Sequence, residues 1–189
     1  MKESKRNRIT RAALALFAER GYDATTVPMI VEKAEVGAGT IYRYFENMEA
    51  LVNTLFQESL DLFMEWVKKD YPYTTPNVKE QFDHILNQMI LFSKDHVDTL
   101  LFIYTHSNAR YLNEASQIAF NEFLDFFRDI METGKKKGEI QPLPSTALIA
   151  IVYGAFMGLI KVTRSKEVDE TPELMAGLRE ACWNAIRIY

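Results

Sequence analysis

Residues 26–45 read Thr26-Val27-Pro28-Met29-Ile30-Val31-Glu32-Lys33-Ala34-Glu35-Val36-Gly37-Ala38-Gly39-Thr40-Ile41-Tyr42-Arg43-Tyr44-Phe45. Val27, Ile30, Val31 and Ala34 fall at helical spacing behind Thr26, whose hydroxyl suits a helix start. Pro28 is tolerated there because first-turn amides have no intrahelical acceptor. Glu35-Val36-Gly37 reads as a tight turn, and a second, brief helix follows through Phe45. On a wheel of that second helix Ile41 and Phe45 share an inward face, while Gly39, Thr40 and Arg43, with Tyr42 and Tyr44 to the side, point elsewhere. A positioning helix, a tight turn and a second helix locked from behind but polar in front are the parts of a helix-turn-helix that enters a DNA groove.

Each outward group has a use on a duplex. Arg43 can make a bidentate contact with guanine, and the hydroxyls of Thr26, Thr40, Tyr42 and Tyr44 can bond phosphate oxygens. Small Ala38 and Gly39 let the helix end approach the base edges. The 189-residue chain has a net charge of −4 and a pI near 5.5, which excludes a protein that coats nucleic acid through bulk positive charge. Its first eleven residues nevertheless hold Lys2, Lys5, Arg6, Arg8 and Arg11 against Glu3 alone. A basic arm on an acidic molecule fits contact with phosphates at one end only.

Outward from this motif, apolar residues recur at helical spacing nearly everywhere and alternating strand patterns are missing, so the expected class is all-α. A first helix from about Glu3 to Arg20, with Ile9, Ala13, Leu16, Phe17 and Arg20 on one face, stops at Gly21. Asn47 caps a long helix with the face Leu51, Leu55, Phe56, Leu62, Phe63 and Trp66, ending before Pro72. Helical patterns then cover about 77–94, 96–109 and 113–133, the last closing at Gly134. Two more run from Ser145 to Arg164 and from Pro172 onward. The uncharged run Ala147–Ile160 is shorter than a membrane span and reads as a buried helix. A single cysteine, Cys182, and no apolar leader point to the cytoplasm.

The segments Ala12-Ala13-Leu14, Phe17-Ala18-Glu19-Arg20-Gly21-Tyr22-Asp23-Ala24-Thr25-Thr26-Val27, Gly39-Thr40-Ile41-Tyr42-Arg43-Tyr44-Phe45 and Glu49-Ala50-Leu51 closely resemble the N-terminal module of the tetracycline-repressor (TetR) family, over residues 9–51. The resemblance implies a DNA-binding helix-turn-helix head over 1–48 and a helical body for ligand binding and dimerisation over 49–189, with repression usually relieved by a small molecule. It places Lys5, Arg6, Arg8, Thr26, Ala38, Gly39, Thr40, Tyr42, Arg43 and Tyr44 at operator DNA. Three departures stand out. Glu35-Val36-Gly37 replaces the family's usual Gly-Val-Ser turn, putting a carboxylate near the DNA. Met48 stands where many members have a phosphate-contacting lysine, and Pro28 where some carry a base reader.

Between the fourth helix and the penultimate one, aromatic and Met side chains are dense. Most must be core, yet Phe63, Trp66, Phe82, Met89, Phe92, Phe102, Phe123, Phe127, Tyr153 and Met157, with polar Tyr104 and His106, could line a cavity for a small hydrophobic effector. Ala150, Gly154 and Gly158 recur at every fourth position, a smooth strip for close backbone approach. With Leu174, Leu178 and Cys182 on the last helix, two copies could form a four-helix interface in a homodimer. His84, His96 and His106 lack metal-ligand spacing, so no metal or cofactor is expected. No acid, base and nucleophile converge as an enzyme requires. The alternative from another class is a hydrophobic-ligand carrier or sensor that has lost DNA reading.

Overall fold

The computed structural model describes residues 3–188, so Lys2 of the basic arm lies outside the described residues. The chain within those bounds is helical, as its periodicity predicts, and its one β feature is an isolated antiparallel bridge between Ile140 and Arg187. Helix α1 (Lys5–Arg20) starts at Ser4, whose Oγ accepts from the Asn7 amide at 3.1 Å. It stops at Gly21, with φ 79° and ψ 174°. This is a positive-φ, extended-ψ conformation open essentially to glycine alone, where a left-handed helical one was expected. Helix α2 (Val27–Lys33) starts at extended Thr26, but the Thr26 side chain makes no capping hydrogen bond, contrary to its expected role.

A 3₁₀ segment, Ala38–Arg43, takes the place of the expected second α-helix. Its bonds run from Thr40 N to Gly37 O at 2.8 Å and from Tyr44 N to Ile41 O at 3.0 Å. Six residues that include Gly39 and Thr40 have little propensity to stabilise a full α-helical turn, and the tighter winding is the short-range solution. Helix α3 (Met48–Lys68) is capped by Asn47, whose Oδ1 accepts from Ala50 N at 2.8 Å.

Beyond Pro72 the helices are α4 (Val78–His106), α5 (Glu114–Lys136), α6 (Ser145–Arg164) and α7 (Pro172–Ile186). Two boundaries differ from the expected ones. The patterns at 77–94 and 96–109 are one helix, α4, with a kink at His96 (φ −128°, ψ 31°). Helix α5 continues through Gly134, where an added Cβ would sit 2.5 Å from Ile140 Cδ1, and the turn comes at Gly138 (φ 71°). Gly134 is therefore required by packing, and Gly138 by backbone conformation.

The chain divides into two compact units. One comprises the chain up to Phe63 together with His96–Asn121; the other comprises Met64–Asp95 and everything from Glu122 onward. In the first, α1, α2 and the 3₁₀ segment pack together, and Phe17 stacks on Phe102 with ring centroids 5.9 Å apart. In the second, α6 packs on α7, and the N-terminal part of α4 is tied to α7 through Phe82 against Trp183 (5.3 Å) and Lys79 to Glu180 (3.1 Å).

Candidate nucleic-acid interface

The 3₁₀ segment is held from one side only. Ile41 and Phe45 are 3% and 6% exposed, whereas Tyr42 and Tyr44 are 60% and 43% exposed. Ala38, Gly39 and Arg43 are exposed too, and Thr40 is half-buried. The Arg43 side chain makes no hydrogen bond or ion pair among the described residues. Two tyrosine rings left in water beside a hydrated, unpaired guanidinium form an aromatic and cationic patch that the fold does not use internally, an arrangement expected of a binding surface.

The basic arm divides. Lys5 is exposed, and Arg11 pairs with Glu3 at 3.0 Å on the surface. Arg6 is engaged within the unit: its guanidinium pairs with Glu58 of α3 and lies 5.6 Å from the centre of the Phe45 ring. Arg8 reaches the end of α2, where its Nη2 donates to the carbonyl of Ala34 at 2.5 Å and to that of Glu35. A phosphate would have to compete with these partners for Arg6 and Arg8, a competition that counting charges along the chain does not reveal.

Behind the head lies a polar node without a sequence signature. Asn53 of α3, 5% exposed, donates to the carbonyls of Glu49 (2.9 Å) and Tyr111 (2.8 Å). Its Oδ1 accepts from Asn113 N (2.8 Å) and Ser116 Oγ (2.7 Å). One buried amide thus joins α3 to the α4–α5 connection and to the start of α5. Tyr111 in turn stacks on Tyr22, just past the end of α1, with centroids 4.1 Å apart. Burial, first of all, pushes the Tyr111 hydroxyl up to about 12, so it stays neutral.

The effector-lining candidates fall in both units. In the first, Phe63, Phe102 and His106 are buried and Tyr104 is 49% exposed. His106 is enclosed by rings, with Phe102 at 4.4 Å, Tyr111 at 5.9 Å and Phe17 at 6.2 Å. Its Nδ1 lies 3.0 Å from the Phe102 carbonyl and Nε2 has no partner. In the second, Trp66 meets Phe92 at 5.7 Å and Phe123 meets Phe127 at 5.1 Å, while Phe82 turns toward α7. Met89 and Met157 are buried and Tyr153 is half-buried. His84 is occupied by the Val67 carbonyl at 3.0 Å, and no group of three metal-ligating side chains occurs among the described residues.

Of the expected interface residues, Ala150 and Gly158 are exposed and Gly154, Leu174 and Leu178 are half-buried. Cys182 does not join that outer strip. It is 2% exposed and packs inward, its Sγ 3.9 Å from the Val152 carbonyl of α6.

Residues 9–55 match the profile "Bacterial regulatory proteins, tetR family", and residues 56–188 match "Tetracyclin repressor-like, C-terminal domain". The chain belongs to the TetR family. It is similar to the HTH-type transcriptional regulator YhgD of Bacillus subtilis, with 26% identity covering 95% of both chains. The fatty acid metabolism regulator protein of the same organism is 31% identical, covering 74% of this chain and 73% of that protein. Among solved structures, a TetR family transcription regulator from Marinobacter aquaeolei has a TM-score of 0.85 at 18% identity, covering 98% of this chain and 96% of that one. The fatty acid degradation regulator FadR from Bacillus halodurans has a TM-score of 0.67 at 23% identity, covering 97% and 96%. This TetR-family chain is a DNA-binding transcriptional regulator.

Proposed function

We propose that the chain is a homodimeric repressor that reads a palindromic operator through Tyr42, Arg43, Tyr44 and the small residues before them, and that a small hydrophobic effector weakens this binding. The observation that carries the proposal is the one-sided anchoring of the 3₁₀ segment, with Ile41 and Phe45 buried and their neighbours exposed. Lys5 and the Thr26 hydroxyl, which is not spent on capping, add phosphate contacts beside it. A two-fold dimer would set two such segments one DNA turn apart, about 34–36 Å, matching a palindrome.

The dimer is supported by α6. Contrary to the buried helix expected from the run Ala147–Ile160, the whole helix is long and apolar enough, by length and composition, to cross a membrane, and only 28% of its most apolar window is buried within the chain. In a protein of this family that uncovered surface suits a second copy, with Ala150, Gly154 and Gly158 flanked by Leu174 and Leu178. The effector is supported by the apolar, aromatic and Met-rich body, and long-chain acyl compounds are the first class to test because a relative is named for fatty acid metabolism. Such an effector acts only by preferring a conformer with lower operator affinity.

Fluorescence anisotropy on a duplex from the promoter of the chain's own gene, with and without palmitate or palmitoyl-CoA, tests this function. Sub-micromolar binding that acyl compound weakens is expected. Acyl binding that leaves DNA affinity unchanged sinks the induction step, and failure to bind any palindrome at low salt sinks the reading as a whole.

A further inference from the structure

We infer that Arg8 is a positioning residue that fixes the helix-turn-helix turn from α1 and masks the turn's carboxylate, and so sets the aim of Arg43 without touching DNA. Four observations converge on this assignment, which rests on the DNA-reading role of the head.

Helix α2 is only seven residues long, and the carbonyls of Ala34 and Glu35 just past its end accept from no backbone amide among the described residues. The Arg8 guanidinium supplies donors to two of the carbonyls at that end, Ala34 and Glu35. A cation at a helix C-terminus also meets the negative end of the helix dipole. Next, Glu35 adopts φ 50°, a left-handed conformation that disfavours a residue with a Cβ. Hydrogen bonds from Glu35 N to Glu32 O and from Val36 N to Val31 O, both 3.0 Å, hold the turn from the α2 side, and Arg8 holds its outer carbonyl.

The third observation concerns charge. The Glu35 carboxylate lies 3.6 Å from Arg8 Nη2, and its side chain is 88% exposed. Alone, that carboxylate would repel a phosphate approaching the turn; beside Arg8 its field is offset. Finally, Arg8 is itself well covered, its side chain only 23% exposed, so its donors face the turn instead of the solvent. The reading segment begins three residues after Glu35, and its inward side is anchored at Ile41 and Phe45 alone. A loosened turn would let it pivot about that anchor and carry Arg43 off its base.

The assignment is tested by measuring anisotropy, over a salt series, on a duplex that the wild-type chain selects from a random pool and on an unrelated duplex. The variants are Arg8→Ala, Arg8→Lys, Glu35→Gly and the double variant Arg8→Ala/Glu35→Gly. Arg8→Ala should weaken the selected duplex on the order of tenfold. The unmasked Glu35 charge should cost the unrelated duplex far less than the selected one loses, and the salt slope should change by less than one phosphate contact. Glu35→Gly, which relieves both the backbone strain and the charge, should recover most of the loss in the double variant. Arg8→Lys should behave like Arg8→Ala, because both carbonyls and the carboxylate are met by Nη2 alone, one bond further from the backbone than a lysine ammonium reaches.

A phosphate anchor gives the opposite pattern: equal losses on both duplexes, a slope shallower by about 0.9, retention by lysine and no rescue by glycine. Any of those four results overturns the assignment. Should Arg8→Ala fail to fold, as judged by circular dichroism, the lysine and double variants carry the same comparison. A wild-type chain that selects no duplex overturns the assignment together with the DNA-reading role beneath it.

Discussion

Arg43 and His106 occupy opposite circumstances in the same unit, and each yields a measurable consequence. Arg43 is exposed and unpaired among the described residues, so replacing it should leave the fold alone. Arg43→Ala should lower affinity for the operator by about 1–3 kcal/mol and relax preference at one base pair of each half-site. Binding to variant duplexes checks this, and a uniform loss across all of them would demote Arg43 to a phosphate contact. His106 is sealed among Phe17, Phe102 and Tyr111, with Nδ1 at the Phe102 carbonyl and Nε2 bare. Burial lowers its pKa below the usual 6.5, against the weaker opposing pull of the Phe102 carbonyl. The unfolded chain therefore takes up a proton near 6.5 while the folded one resists. His106 favours folding fully above that pH, and stability should fall as pH drops through 6.5 toward the folded-state pKa. Urea midpoints measured on either side of 6.5 should diverge in the wild type more than in His106→Phe; equal divergence would mean that other groups set the acid limb.

At the scale of elements, Asn53 is the strongest test of what holds the head to its support. All four of its hydrogen bonds converge on one buried amide, so Asn53→Ala should strand the Tyr111 carbonyl, the Asn113 amide and the hydroxyl proton of Ser116, whose oxygen keeps Gln57 Nε2, at a cost of about 2–3 kcal/mol. Chemical denaturation reads that loss directly, and a change under about 0.5 kcal/mol, the level of an ordinary surface substitution, would show that water replaces the amide. Nothing local in the sequence marks Asn53, because its partners beyond Glu49 lie about sixty positions away along the chain. Arg6 and Arg8 were legible as cations but not as ties to Glu58 and to the end of α2, for the same reason. What was legible rests on short-range physics: Asn47 as a cap, Gly21 as a stop, Ser145 and Arg164 as helix limits, and Ile41 with Phe45 as the inner face of the reading segment. The kink at His96 was read as a gap between helices, since a break in apolar periodicity looks the same whether the backbone ladder ends or merely bends.

For the whole molecule, the open question is what covers α6, and its glycines allow a clean answer. A Cβ built at Gly154 or Gly158 meets no atom within 4 Å, so a larger side chain there has room in the isolated chain. Any non-glycine residue also improves helix propensity, by about 0.5–1 kcal/mol for glycine to alanine. Gly154→Arg should therefore fold with unchanged helicity. If two copies meet along Ala150, Gly154 and Gly158, however, the arginine places a long charged group where two backbones approach, and a desolvated, unpaired charge there costs several kcal/mol. Sedimentation velocity should then show a monomer in place of the proposed wild-type dimer, and operator affinity should collapse toward the non-specific level because one head alone holds one half-site. Gly154→Ala is the matching control, a methyl small enough to leave the dimer in place or only weaken it. An arginine variant that sediments as the wild type does would place the interface on another face, and α6 would need a different cover for its apolar surface.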